Sequence, residues 1–114
     1  MAKSVIYHNP RCSTSRKTLD LLRDNGVEPE VVQYLKTPPS RAELVKMIND
    51  AGIDVGTAIR KKEALYDELN LAGASDDELL DAMAGHPILI ERPFVITPKG
   101  TRLARPIDAV REIL

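Results

Sequence analysis

Two short apolar runs near the start of the chain, residues 4–7 and 30–35, stand on either side of one helix-length segment. Val5 and Ile6 fill the first run without a charge between them, and Pro29 opens the second. The pattern predicts two strands enclosing a helix over 13–25, with Leu19 and Leu22 on its apolar side and Gly26 as its C-terminal stop. Strand, helix and strand joined by loops this short favour a parallel pair with a right-handed crossover.

The next half of the chain has a different period. Pro38-Pro39 breaks it, and Ser40-Arg41-Ala42-Glu43 then forms a capping box before Leu44, Met47, Ile48 and Ala51. Gly52 ends that helix. Short helical turns are predicted over 54–59 and 62–69, and Ser75-Asp76-Asp77-Glu78 forms a second capping box before Leu79, Leu80 and Met83. Strands are expected again over 88–90, 94–97 and 101–104, with Pro98-Lys99-Gly100 as a turn. Pro106 suits the first turn of a helix running to Leu114, with Ile107, Val110, Ile113 and Leu114 as its apolar positions. The element order is β-α-β, helices, β-β-α. The 114 residues suffice for one α/β domain, expected over 1–114 with a helical insertion at about 38–86. With no Trp and one Phe, its core must be largely aliphatic.

Charge and cysteine usage narrow the function classes. Sixteen Lys and Arg against seventeen Asp and Glu give a formal net charge of -1, which argues against nucleic acid and membrane surfaces as partners. No apolar run is long enough to span a bilayer, and no apolar leader opens the chain. One cysteine and two histidines are too few for a structural zinc site and exclude an internal disulfide. A cytoplasmic, reducing compartment is expected, with no tightly bound cofactor.

The single cysteine, Cys12, lies in Tyr7-His8-Asn9-Pro10-Arg11-Cys12-Ser13-Thr14-Ser15-Arg16, where the first strand hands over to the helix. Backbone N–H groups at a helix start point outward, and with Arg11 and Arg16 alongside they favour thiolate over thiol. A lone cysteine also packs well as an inert small hydrophobe. A dithiol motif is excluded, because Ser15 and Asn9 occupy the positions three residues away. A Cys-x5-Arg phosphatase loop would need an arginine where Thr18 stands. A nucleophilic Cys12 would therefore need an outside thiol to reset it. His8 either tunes the sulfur or packs within the loop. Ser13, Thr14 and Ser15 can cap the helix, donate to the sulfur or contact an oxyanion.

Arg60, Arg92 and Arg105 are candidate oxyanion ligands, since guanidinium forks suit tetrahedral anions. Arg92 and Arg105 each precede a proline beside a predicted strand, which restricts their backbone; surface ion pairing is the alternative for all three. Together with the Cys12 loop, Ile59-Arg60-Lys61-Lys62-Glu63, His86-Pro87-Ile88-Leu89-Ile90-Glu91-Arg92-Pro93 and Arg102-Leu103-Ala104-Arg105-Pro106 resemble the glutaredoxin-coupled arsenate reductase family over residues 4–114. The resemblance implies a thioredoxin-like (glutaredoxin-like) fold and reduction of arsenate to arsenite, with glutathione as co-substrate and glutaredoxin as partner. It implies that Cys12 attacks arsenate, that His8 tunes the thiolate, and that Arg60, Arg92 and Arg105 surround the oxyanion. Ser13 stands where some members have glycine, which adds a hydroxyl and removes flexibility. Two alternatives share the fold: a glutathione-dependent redox protein with another substrate, and a non-enzymatic protein contacting a transcription complex. The missing Cys-x-x-Cys disfavours the second.

Overall fold

The structure, a computed structural model, describes residues 4–114. They fall into two compact units, one formed by the described residues up to Thr37 with Arg92–Leu114, the other by Pro38–Glu91.

The first unit is built on a four-stranded sheet. Strand β1 (Val5–His8) pairs in parallel with β2 (Glu30–Gln33) across helix α1 (Ser13–Asp24), as the crossover argument requires. On its other side β1 pairs antiparallel with β3 (Phe94–Thr97), and β3 forms a hairpin with β4 (Gly100–Leu103) through Pro98-Lys99. The order is β2-β1-β3-β4, and this is the β-α-β plus β-β-α sheet of the thioredoxin-like fold. Helix α1 stops where Gly26 takes φ +78°. There the Gly26 N–H donates to the Arg23 carbonyl and the Val27 N–H to the Leu22 carbonyl, closing the paired bonds of a Schellman end. Ile6, Leu22, Val95, Ala104, Val110 and Ile113 form a buried cluster, with Leu19 and Val27 packed at its margin.

Alternation in β1 buries Ile6 and His8 and leaves Val5 and Tyr7 partly exposed. The buried line of α1 is Ser15, Thr18 and Leu22. This line is more polar than the Leu19 and Leu22 face expected from apolar residues alone. Its hydroxyls are admitted because each is satisfied: Thr18 Oγ1 donates to the Thr14 carbonyl at 2.7 Å, and Ser15 Oγ bonds to His8.

In the second unit both capping boxes form. Ser40 opens α2 (Arg41–Asp50) with the Glu43 N–H on its Oγ, and Ser75 opens α5 (Asp76–Gly85) with the Glu78 N–H on its Oγ. Between them lie the single turns α3 (Val55–Ala58) and α4 (Ala64–Glu68). Leu44, Met47, Ile48, Leu79, Leu80 and Met83 are buried. Arg41 ties α2 to α5 through Asp81 at 2.8 Å and Asp77 at 3.1 Å.

Two expected elements differ. Residues 88–90 are not a strand: Pro87–Leu89 is a 3-10 turn, and Ile90 makes only an isolated bridge to Ile59. Pro87 fixes φ, and the Ile90 N–H closes an i to i+3 bond onto its carbonyl, which directs the backbone into a turn. The terminal segment Ile107–Ile113 is a 3-10 helix in place of the expected α-helix. Ile107, Val110 and Ile113 recur every third residue, the 3-10 period, so one narrow face carries the buried Val110 and Ile113.

Ser40→Ala removes the hydroxyl that receives the Glu43 N–H while leaving the α2 core face intact. It should cost about 1 kcal/mol of stability, read as a lower urea midpoint at unchanged slope.

Candidate active site

The site grows from the crossing of two sequence periods. His8 ends the buried row of β1, and Ser15 begins the buried line of α1. They meet with His8 Nδ1 and Ser15 Oγ 2.6 Å apart. The same Oγ accepts the Asn9 N–H at 3.1 Å. One fully buried hydroxyl thus ties the end of the strand to the first turn of the helix. The loop between is folded by Asn9, whose Oδ1 accepts the Arg11 N–H at 3.0 Å and whose carbonyl accepts the Cys12 N–H at 3.0 Å.

Cys12 occupies the N-cap of α1 in extended conformation and is partly exposed. A serine there would close a short cap bond; the larger sulfur closes none, but the amides of the first turn still act on it as partial positive charge. Burial by itself pushes the thiol up. The Ser15 N–H, the Arg92 guanidinium through a hydrogen bond and its charge, and the Thr14 N–H together outweigh burial and hold Cys12 below its ordinary range. The cations at the sulfur are therefore Arg92, two residues before β3, and Arg105, where the sequence suggested Arg11 and Arg16. Arg11 is exposed, and Arg16 Nη1 donates to the Pro10 carbonyl at 2.9 Å.

Arg92 is itself unusual. It is only 8% exposed, and its Nε and Nη1 have no hydrogen-bond partner among the described residues. Leaving a buried donor unmade costs about 1–3 kcal/mol, more for a charged group, so an anion at Arg92 would recover that cost. Arg105 lies beside it: its Nε donates to the Arg92 carbonyl at 2.9 Å and its Nη2 lies 3.9 Å from Cys12 Sγ. The peptide bonds before Pro93 and Pro106 are both cis.

His8 is buried, and burial first, then the charges of Arg16 and Arg23, lower its pKa. It is therefore a neutral imidazole near pH 7, and its link to the sulfur runs through Ser15. The Ser15 hydroxyl is engaged with His8 and Asn9, so Ser15 offers Cys12 its backbone N–H. Ser13 is exposed and Thr14 half-buried. Arg60 belongs to the second unit, where its Nε bonds Glu63 at 3.2 Å and its Nη1 lies 3.6 Å from Glu91. The sequence thus supplied Cys12, Arg92 and Arg105 for one cluster. It missed Ser15 as the joint of the loop, although Ser15 stands seven residues before Leu22 and so shares its helix face. Among the described residues no cluster of His, Cys, Asp or Glu could hold a metal.

A family model described as "ArsC family" matches residues 7–113. An arsenate reductase of Rhizobium meliloti (strain 1021) is 60% identical over 96% of this chain and 80% of its own length. That of Escherichia coli (strain K12) is 54% identical over all of this chain and 82% of its own. Among solved structures, an arsenate reductase from Vibrio cholerae superposes with a TM-score of 0.93 at 50% identity, covering 98% of each chain.

A lowered thiol pKa enlarges the thiolate fraction at neutral pH, and reactivity is lost as pH falls through that pKa. Iodoacetamide alkylation of Cys12 should therefore titrate below the free-cysteine value of about 8.5. Arg92→Gln should move the midpoint upward. Ser15→Ala should do the same while leaving the cation in place, because it releases the turn that aims the amides. Midpoints equal to wild type in both variants would refute this account of the sulfur.

Proposed function

The chain belongs to the ArsC family, and on that footing we propose that it is an arsenate reductase, with Cys12 as nucleophile and with glutathione and glutaredoxin restoring the thiol. The observation that carries the reading is Arg92, a buried guanidinium with two unpartnered nitrogens whose charge acts on the one cysteine. An oxyanion there would meet the Arg92 and Arg105 donors and the amides of Thr14 and Ser15, with Ser13 and Thr14 hydroxyls nearby in the chain. Near neutral pH arsenate is largely a dianion. Bringing it to a thiolate is repulsive unless fixed cations offset the charge, and forked guanidinium groups do so most directly. The family resemblance adds Arg60 to this set and gives His8 its role in tuning Cys12. The observed His8–Ser15 bond supports that role by an indirect route.

In the proposed reaction the Cys12 thiolate attacks arsenic, and one arsenate oxygen leaves, protonated, as water. The glutathione thiolate then bonds to the Cys12 sulfur. The sulfur–arsenic bond breaks with its electron pair on arsenic, which leaves as arsenite. Glutaredoxin reduces the resulting mixed disulfide. The single cysteine supports an external donor, because no second thiol exists in the chain to close an internal disulfide. No cofactor is needed for these steps, and a thiol that must stay reduced suits the cytoplasm.

NADPH oxidation should depend on arsenate in a mixture holding glutathione, glutathione reductase and glutaredoxin, and Cys12→Ser should abolish it. Alanine at Arg60, Arg92 or Arg105 should lower turnover on the order of 10²-fold, as loss of an oxyanion donor does elsewhere. Arg23→Ala, which removes an exposed pair with Glu28, should leave it unchanged. Folded protein with free Cys12 and no arsenate-dependent turnover would rule the proposal out.

A further inference from the structure

Arg60 enters the proposed oxyanion set already paired with two carboxylates. We propose that one of them, Glu91, is a specificity-determining residue: it competes with the oxyanion for Arg60 and holds down the affinity for tetrahedral dianions. The proposal rests on the reading above in which Arg60 is an oxyanion ligand.

The pairing is built into the backbone. Ile59 and Ile90 form an isolated antiparallel bridge. It is flanked by the Arg60 N–H on the Leu89 carbonyl at 2.6 Å and the Glu91 N–H on the Ala58 carbonyl at 2.7 Å. In that register Arg60 lies opposite Leu89. Glu91, two residues on, is then its diagonal neighbour on the same face, within reach of a long side chain. Arg60 Nη1 meets Glu91 Oε2 at 3.6 Å. Glu63 comes from the other direction. Its N–H closes a turn on the Arg60 carbonyl at 3.3 Å, and its Oε1 accepts from Arg60 Nε at 3.2 Å. All three residues belong to the second unit.

The two carboxylates differ in grip. Glu63 makes a hydrogen bond, which fixes the direction of the guanidinium fork. The Glu91 contact to Arg60 is longer than a hydrogen bond, so it is the one an anion displaces first. Formally the group carries one positive and two negative charges, and a dianion approaching Arg60 is repelled until Glu91 gives way. The Arg60 and Glu91 side chains are 21% and 16% exposed, so solvent screens them little. Arg92 is the contrast: its Nε and Nη1 meet no partner among the described residues, and an anion displaces nothing there. Weak ground-state binding at Arg60 keeps unreactive anions of the same shape and charge, phosphate among them, from saturating the site. Selection is then left to the step at Cys12.

The test needs no turnover. Inorganic phosphate is titrated against iodoacetamide alkylation of Cys12, and the half-protecting concentration is read. Glu91→Gln keeps the shape and removes the charge. It should lower that concentration roughly two- to tenfold, the worth of a partly desolvated ion pair. Glu91→Ala, which asks no amide to fit, should shift it the same way. In an Arg60→Ala background, Glu91→Gln should produce no further shift. With arsenate as substrate, the KM of Glu91→Gln should fall by the same factor, and kcat should not rise with it. A purely structural tie would lower the urea midpoint and leave protection where it was. That result, or an equal shift in the Arg60→Ala background, would overturn the proposal. A Glu91 effect that needs Arg60, without arsenate turnover, would leave the proposal standing and remove the arsenate reductase reading; arsenate turnover with unshifted protection would do the reverse.

Discussion

One buried hydroxyl organises the reactive end of this protein. Ser15 Oγ takes the Asn9 N–H and meets His8 Nδ1, so the last residue of β1, the loop and the first turn of α1 are held as one piece. The backbone of that turn delivers the Ser15 and Thr14 amides to Cys12. Without the hydroxyl, two buried polar groups would lose their partner, and the turn that aims the amides would lose its anchor. The arrangement is available because strand and helix periods coincide there. His8 lies two residues from Ile6, and Ser15 lies seven from Leu22.

Around the sulfur, two opposed effects decide the chemistry. Partial burial disfavours a thiolate, while the amides and Arg92 favour it, and the second group prevails. Arg92 acts on the sulfur from a buried position, where a charge is poorly screened. Its backbone carbonyl is held by Arg105 Nε, which brings the second guanidinium within 3.9 Å of the sulfur. Arg60 differs in kind. Two carboxylates, Glu63 and Glu91, already share it, so an anion binding there would compete with existing pairs, whereas at Arg92 it would meet unpartnered donors.

Local signals carried most of the elements. Both capping boxes formed because Ser and Glu three residues apart bond each other's backbone regardless of what packs behind them. The β-α-β start followed from short loops and apolar runs. The 88–90 run misled because an apolar triplet has no period of its own, and Pro87 turned it into a 3-10 segment. The terminal helix was misjudged for a related reason: a repeat of three was read as part of a repeat of 3.6.

The sequence by itself determined the β-α-β start, both capped helices and the closing hairpin, the lone cysteine at a helix start, the absence of a second thiol, and three arginines as candidate oxyanion ligands. Those facts depend on residue type and short-range spacing. Tertiary structure decided which cations reach the sulfur. Arg11 and Arg16 are neighbours in the chain, yet Arg92, eighty residues away, takes that part because antiparallel pairing of β3 with β1 brings its strand beside the Cys12 loop. Only the fold, likewise, could bury Ser15 against His8, since the contact requires a strand end and a helix start to meet across a packed face.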